Sequence, residues 1–173
     1  MKNRRMKKIL SCNLFIILFI VPILQGCAHL NANRAMGPKG TQSIFVYMCG
    51  STLETKTGAA SKNIQEMLDS NIPDSTTVVM QTGGAKKWRV LDIDPSRSQR
   101  YLVKDGELTL LSETNRQNMG ESETLSDFLK WGVETYPAEK MGVILWDHGG
   151  GSLSGVCFDE NYNMDEVMKK LKA

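Results

Sequence analysis

Three short runs constrain the fold of this chain more than anything else in it. SIFVYMC (43–49), STTVVMQTGG (75–84) and MGVILWDH (141–148) are rich in apolar residues at consecutive positions, not only at alternating ones. A strand with one face in water alternates apolar and polar side chains, whereas a strand covered on both faces does not. Runs this short, bounded by glycine and polar residues, fit strands better than buried helices. They predict three strands buried on both faces, the habit of a parallel sheet with helices on each side.

The segments between them supply the helices. From Gly58 to Ser70, Ala60, Ile64, Met67 and Leu68 recur at helical spacing, with Lys62, Gln65, Glu66 and Asp69 elsewhere on the wheel. Strand, helix and strand make a βαβ unit, whose crossover is expected to be right-handed. KWRVLDID (87–94), QRYLVK (99–104) and ELTLLS (107–112) read as short extended runs, and Asp105-Gly106 between the last two is a hairpin turn signal. They predict a small antiparallel excursion on the edge of the main sheet. SETLSDFLKWGVETY (122–136) follows as an amphipathic helix with Leu125, Phe128, Leu129 and Val133 inward and Pro137 just past its end. NMDEVMKKLKA (163–173) opens on Asn163 with Glu166 at the third helical position, a capping-box start, and repeats Met164, Val167, Met168 and Leu171. An α/β pattern calls for a further strand after such a helix.

The third strand ends on an unusual sequence, WDHGGG (146–151). Chemistry in open α/β sheets gathers beyond the carboxyl ends of parallel strands, where His148 falls. An imidazole there can polarise a thiol or hydroxyl. Gly149 leaves a backbone N–H open to a substrate carbonyl, as an oxyanion site needs. Gly150 and Gly151 allow positive φ and a close chain reversal. Other readings stand beside this one: a hydrogen-bonded histidine at the core edge, or an anion-binding nest of glycine amides. No Gly-Lys-Ser/Thr follows, which excludes a P-loop. No metal site is predicted, because the other histidine is His29 and Asp147 is expected to face away from His148.

The first 26 residues stand apart. MKNRRMKK carries five bases and no acid, and ILSCNLFIILFIVPIL is about as long as a signal h-region but short for a ~20-residue membrane span. Leu24-Gln25-Gly26-Cys27 resembles the lipobox of bacterial lipoproteins, which implies export, acylation at Cys27 and attachment to the membrane or cell surface. Residues 27–42 then read as a flexible tether, and 43–173 as the folded part. The whole chain has 21 Lys+Arg against 19 Asp+Glu, but without the leader the balance is 16 against 19, a net charge of −3. The basic excess belongs to the leader, so nothing argues for nucleic acid. Cys12 lies in the leader and Cys27 at the anchor, leaving Cys49 and Cys157 in the folded part, where they could pair outside the membrane.

SIFVYMCGSTLE, the TGG at 82–84, YPAEKMGVILWDHGGG and the following GVCFDE together resemble the clostripain family of cysteine peptidases. The resemblance runs from about Ser43 to the end and implies a caspase-like αβα sandwich, incomplete at the C-terminus. It implies that His148 partners a catalytic cysteine, that the Gly149 amide helps bind the oxyanion, and that peptides or proteins are cut after Arg or Lys. The nucleophile of such sequences is expected about 50 residues beyond the histidine, near ~198, whereas this chain ends at Ala173. Cys49 and Cys157 read instead as idle or buried cysteines. The expectation is therefore the N-terminal part of a surface-anchored endopeptidase, inactive alone, whose partner is a missing C-terminal segment or heavy chain. Internal cleavage near Lys169–Lys172 is compatible with the family. The alternative is a non-catalytic lipoprotein remnant that binds peptides or proteins. The resemblance also admits calcium, and Asp159 and Glu160 are candidates for a substrate-side or calcium-binding loop against the plainer reading of a solvated one. Trp88, Trp131 and Trp146 read as packing residues.

Overall fold

The computed structural model describes residues 37–89, 92–150 and 155–162. The leader, Cys27 and the capped segment 163–173 lie outside the described residues. Eight elements run in the order β1 (Gln42–Cys49), α1 (Ser51–Thr57), α2 (Ala59–Leu68), β2 (Thr76–Gly83), β3 (Arg97–Lys104), β4 (Glu107–Asn115), α3 (Ser122–Thr135) and β5 (Lys140–Trp146). The strands form one sheet in the order β4-β3-β2-β1-β5.

The apolar runs become its parallel core. β1 lies between β2 and β5, parallel to both, with Phe45 opposite Val79 on one side and Val143 on the other. Its alternate side chains go to opposite faces. Val46 and Met48 join Ala60, Ile64, Leu68 and Met80 on the α2 face. Phe45, Tyr47 and Cys49 join Val79, Met119 and Phe128 on the α3 face. The result is the expected helix–sheet–helix layering, an α/β fold of caspase-like character.

The antiparallel excursion is present as β3 and β4, which add to the β2 side of the sheet. Their connection is the two-residue loop Asp105-Gly106, with φ of 52° and 77°. Positive φ at both positions matches the right-handed twist of the flanking strands, which is why Asp-Gly is favoured there. Arg100 ties this excursion to α3. Its Nε donates to Gln81 Oε1 at 2.9 Å, its Nη2 lies 2.5 Å from Asp127 Oδ2, and its guanidinium stands 4.7 Å from the centre of the Trp131 ring. Cation–π stacking and the ion pair act together here. Trp131 is thus a packing residue, as are the buried Trp88 and Trp146, whose Nε1 donates to Asn63 Oδ1 at 2.9 Å.

Three expectations are corrected. First, KWRVLDID forms no strand among its described residues; Ile93 enters the core, while Arg89 N donates to the buried Glu54 carboxylate at 2.8 Å. Second, a short helix, α1, precedes the predicted one. With Leu53 as its one large apolar side chain, it carries no apolar period, and it is held by Glu54, which also accepts from Ser61 N and Ser61 Oγ. Third, among the described residues β5 lies at the edge of the sheet and is not covered on both faces. β1 pairs with one side of it only, and Met141, Val143, Ile144 and Leu145 are 39–49% exposed. Apolarity at consecutive positions reports what a strand can bury on both faces, not what covers it among the described residues.

Candidate active site

The site lies where two parallel strands end side by side. β1 stops at Cys49 and β5 at Trp146, and the β1–β5 register pairs Met48 with Trp146. The chain after β1 turns into α1, and the chain after β5 enters Asp147-His148-Gly149. The crevice beyond the carboxyl ends of neighbouring strands is where open α/β sheets place ligands.

Ser51 and Thr52, the first residues of α1, meet Asp147 and His148 across this crevice. Ser51 Oγ donates to Asp147 Oδ1 at 2.6 Å, and Thr52 Oγ1 lies 2.9 Å from His148 Nε2. Asp147 Oδ1 also accepts from His148 N at 2.6 Å, and its Oδ2 accepts from Phe158 N. One carboxylate therefore joins the end of β5, the start of α1 and the loop carrying Cys157. His148 itself is exposed, its imidazole steadied at one nitrogen by a hydroxyl. Such an arrangement leaves the other ring nitrogen to face a reacting group.

Gly149 has φ of 69°, and a Cβ added there would meet no atom of the described residues within 4 Å. Glycine is thus required by backbone conformation and not by crowding. Gly150 N donates to Gly155 O at 2.7 Å and closes the loop; Gly151 lies outside the described residues.

Asp159 and Glu160 are not a freely solvated pair. Asp159 is only 7% exposed and accepts from Met119 N at 3.0 Å, Asn161 N at 2.9 Å and Asn161 Nδ2 at 3.0 Å. Glu160 Oε1 accepts from Thr55 Oγ1 and Lys86 N, while its own N–H donates to Gly84 O at 3.1 Å. Both carboxylates accept from N–H or O–H donors of neighbouring segments. Among the described residues no group of three or more His, Cys, Asp or Glu could hold a metal.

The remaining thiols lie on the α3 side of the sheet. Cys49 is fully buried, and the half-buried Cys157 packs against the same cluster. Cys157, together with burial, holds the Cys49 thiol well above its ordinary range, while Cys49 lowers the Cys157 thiol. Tyr47 beside them donates to Met119 O at 3.1 Å, and burial pushes its phenol up. A cavity of about 380 Å³ opens here, lined by Tyr47, Met119, Leu125, Leu145, Cys157 and Asp159 among others, and His148 is not among its lining residues.

Sequence reasoning singled out His148 and Gly149 but not Ser51, Thr52 and the three hydrogen bonds that Asp147 accepts. Alternation along a strand placed Asp147 and His148 on opposite faces; β5 ends at Trp146, so alternation does not extend to them. Ser51 carried no signal, although its φ of 46° is one that L side chains rarely adopt.

Comparison with known proteins identifies the family. The model of the clostripain family, peptidase C11, matches residues 46–171. A solved structure of a B. fragilis cysteine protease is 20% identical, with a TM-score of 0.51, over 67% of this chain and 95% of that one. A clostripain from Bacteroides thetaiotaomicron, solved with a peptide inhibitor, is 13% identical, with a TM-score of 0.49, over 65% of this chain and 94% of that one. A secreted C11 cysteine protease from the same species is 15% identical, with a TM-score of 0.49, over 77% of this chain and 39% of that one. No curated protein matches significantly.

The strained Ser51 gives a direct test of the crevice. Ser51→Ala removes a hydrogen bond to a carboxylate, worth about 1.5–3 kcal/mol, and keeps the left-handed backbone. Ser51→Gly loses the same bond but relaxes a strain of about 1 kcal/mol. Urea unfolding should therefore rank wild type above Ser51→Gly and Ser51→Gly above Ser51→Ala. Equal stability of all three would remove the Ser51–Asp147 bond from the account.

Proposed function

The chain belongs to the clostripain family, and from that premise we propose that it carries the His148 side of a cysteine endopeptidase site. The observation that carries this reading is His148, exposed at the β1–β5 crevice, held through Nε2 and followed by a positive-φ glycine. In such a site a thiolate attacks the peptide carbonyl, and the oxyanion takes the Gly149 amide. His148 then passes its proton to the departing amine, and water releases the acyl group from sulfur. The bond cut would follow Arg or Lys, as the family resemblance implies.

The thiols among the described residues pack into one cluster, Cys49 buried and Cys157 half-buried, and we read neither as the nucleophile. The chain by itself is then inactive, and its partner in catalysis is a further segment supplying the thiolate. A second reading is favoured by β5: its exposed apolar edge would let a non-catalytic chain bind a peptide or protein by strand addition. The chain is also proposed to be exported and held at the membrane or cell surface through acylated Cys27. No described helix is long and apolar enough to cross a membrane.

The chain alone should leave Arg- and Lys-reporter peptides uncut. Complemented by the C-terminal segment of a complete relative it should cut them, and His148→Ala should lower that rate by about a hundred- to ten-thousandfold while preserving cooperative unfolding. A complemented His148→Ala that cuts at the wild-type rate would refute the role of His148, and complementation without cleavage but with tight peptide binding would support the second reading. Metabolic labelling with a fatty-acid analogue should tag wild type and miss Cys27→Ser; equal labelling of the two would refute the anchor.

A further inference from the structure

Cys49 and Cys157 pack into one cluster although 108 positions apart in sequence, and their surroundings fix both. Cys49 ends β1, and its Sγ occupies the space over Gly84, where an added Cβ would stand 2.6 Å from it. The segment holding Cys157 is pinned to the same place. Phe158 N donates to Asp147, Asp159 accepts from Met119 N at 3.0 Å, and Glu160 N donates to the carbonyl of Gly84 at 3.1 Å. Thus each of the three residues after Cys157 is tied to the sheet or to a loop beside it. The two sulfurs belong to one packed cluster, with Cys49 inaccessible and Cys157 partly open to solvent.

We infer that Cys49 and Cys157 form a site of oxidative modification, closed to an internal disulfide by exchange with a small-molecule disulfide such as oxidised glutathione. The order of events follows from access. Cys157, the more accessible and more readily ionised thiol, attacks one sulfur of the reagent, and a glutathione thiolate leaves. Cys49 then attacks the Cys157 sulfur of the mixed disulfide, and its proton goes to the second departing glutathione thiolate. In sum, two protein thiols are oxidised to one disulfide and the reagent is reduced to two thiols. The bridge would staple the loop that fastens Asp147 to the end of β1. It closes a long loop, the case in which a cross-link restricts the unfolded chain most. This inference concerns the thiols and stands whether or not the endopeptidase reading holds.

The test uses the full chain with Cys12→Ser and Cys27→Ser, so that these two thiols alone remain. The folded protein is incubated with oxidised glutathione, quenched in acid, capped with a maleimide and mapped by mass spectrometry. Glutathione should appear first on Cys157, then leave as a Cys49–Cys157 disulfide forms with loss of two hydrogens. Cys49→Ala should stop at the mixed disulfide on Cys157, and Cys157→Ala should leave Cys49 unmodified until denaturant is added. The oxidised form should melt about 10 °C higher than the reduced one. Two thiols that both remain open to maleimide after native oxidation would overturn the inference. So would a disulfide that forms only in denaturant, or one that lowers the melting temperature. The parent protein's order of labelling decides the matter even if an alanine variant fails to fold.

Discussion

Everything described depends on β1 being paired along both edges and covered on both faces. Its backbone bonds to β2 and β5, while Val46 and Met48 anchor α2 and Phe45 and Tyr47 anchor α3. Fully burying side chains of this kind is worth about 1.5–3 kcal/mol each, so a polar change at any of these positions would uncouple a whole layer. The same strand sets where the site falls. The β1–β5 register decides that Ser51 and Thr52 arrive opposite Asp147 and His148.

Carboxylates do most of the work of holding loops to this frame. Glu54 ties α1 to α2 and to Arg89, Asp147 joins three segments, Asp159 takes the Met119 amide, and Glu160 spans Thr55 and Lys86. An ionised carboxylate only accepts, so each can gather several N–H or O–H donors at once. Buried donors left without such acceptors are expensive, which makes these acids structural before they are anything else. His148 is the exception. Its ring is exposed and meets a hydroxyl, the disposition of a group kept available.

Much of the fold was legible because periodicity reports burial. The three apolar runs gave the parallel strands, Asp105-Gly106 gave the hairpin, and Ala60, Ile64 and Leu68 gave the face of α2. What escaped lacks such a period. α1 is short and is held by a buried Glu54, and an acid in a sequence carries no mark that distinguishes a buried acceptor from a solvated one. Asp159 misled for that reason. β5 misled differently: its composition shows that it can be buried on both faces, while its coverage depends on what packs beside it. Within the site, His148 and Gly149 stood out by type and position, whereas Ser51 and Thr52 are ordinary residues made special by register.

The central claim is that Thr52 steadies the His148 ring at the end of β5, leaving one nitrogen for chemistry. Long-range nitrogen–proton correlation of the His148 imidazole in wild type and Thr52→Val tests it most directly. The account predicts one dominant neutral tautomer in wild type and a changed tautomer ratio in Thr52→Val, with the backbone spectrum of the sheet unchanged. An identical mixture of tautomers in both proteins would contradict it.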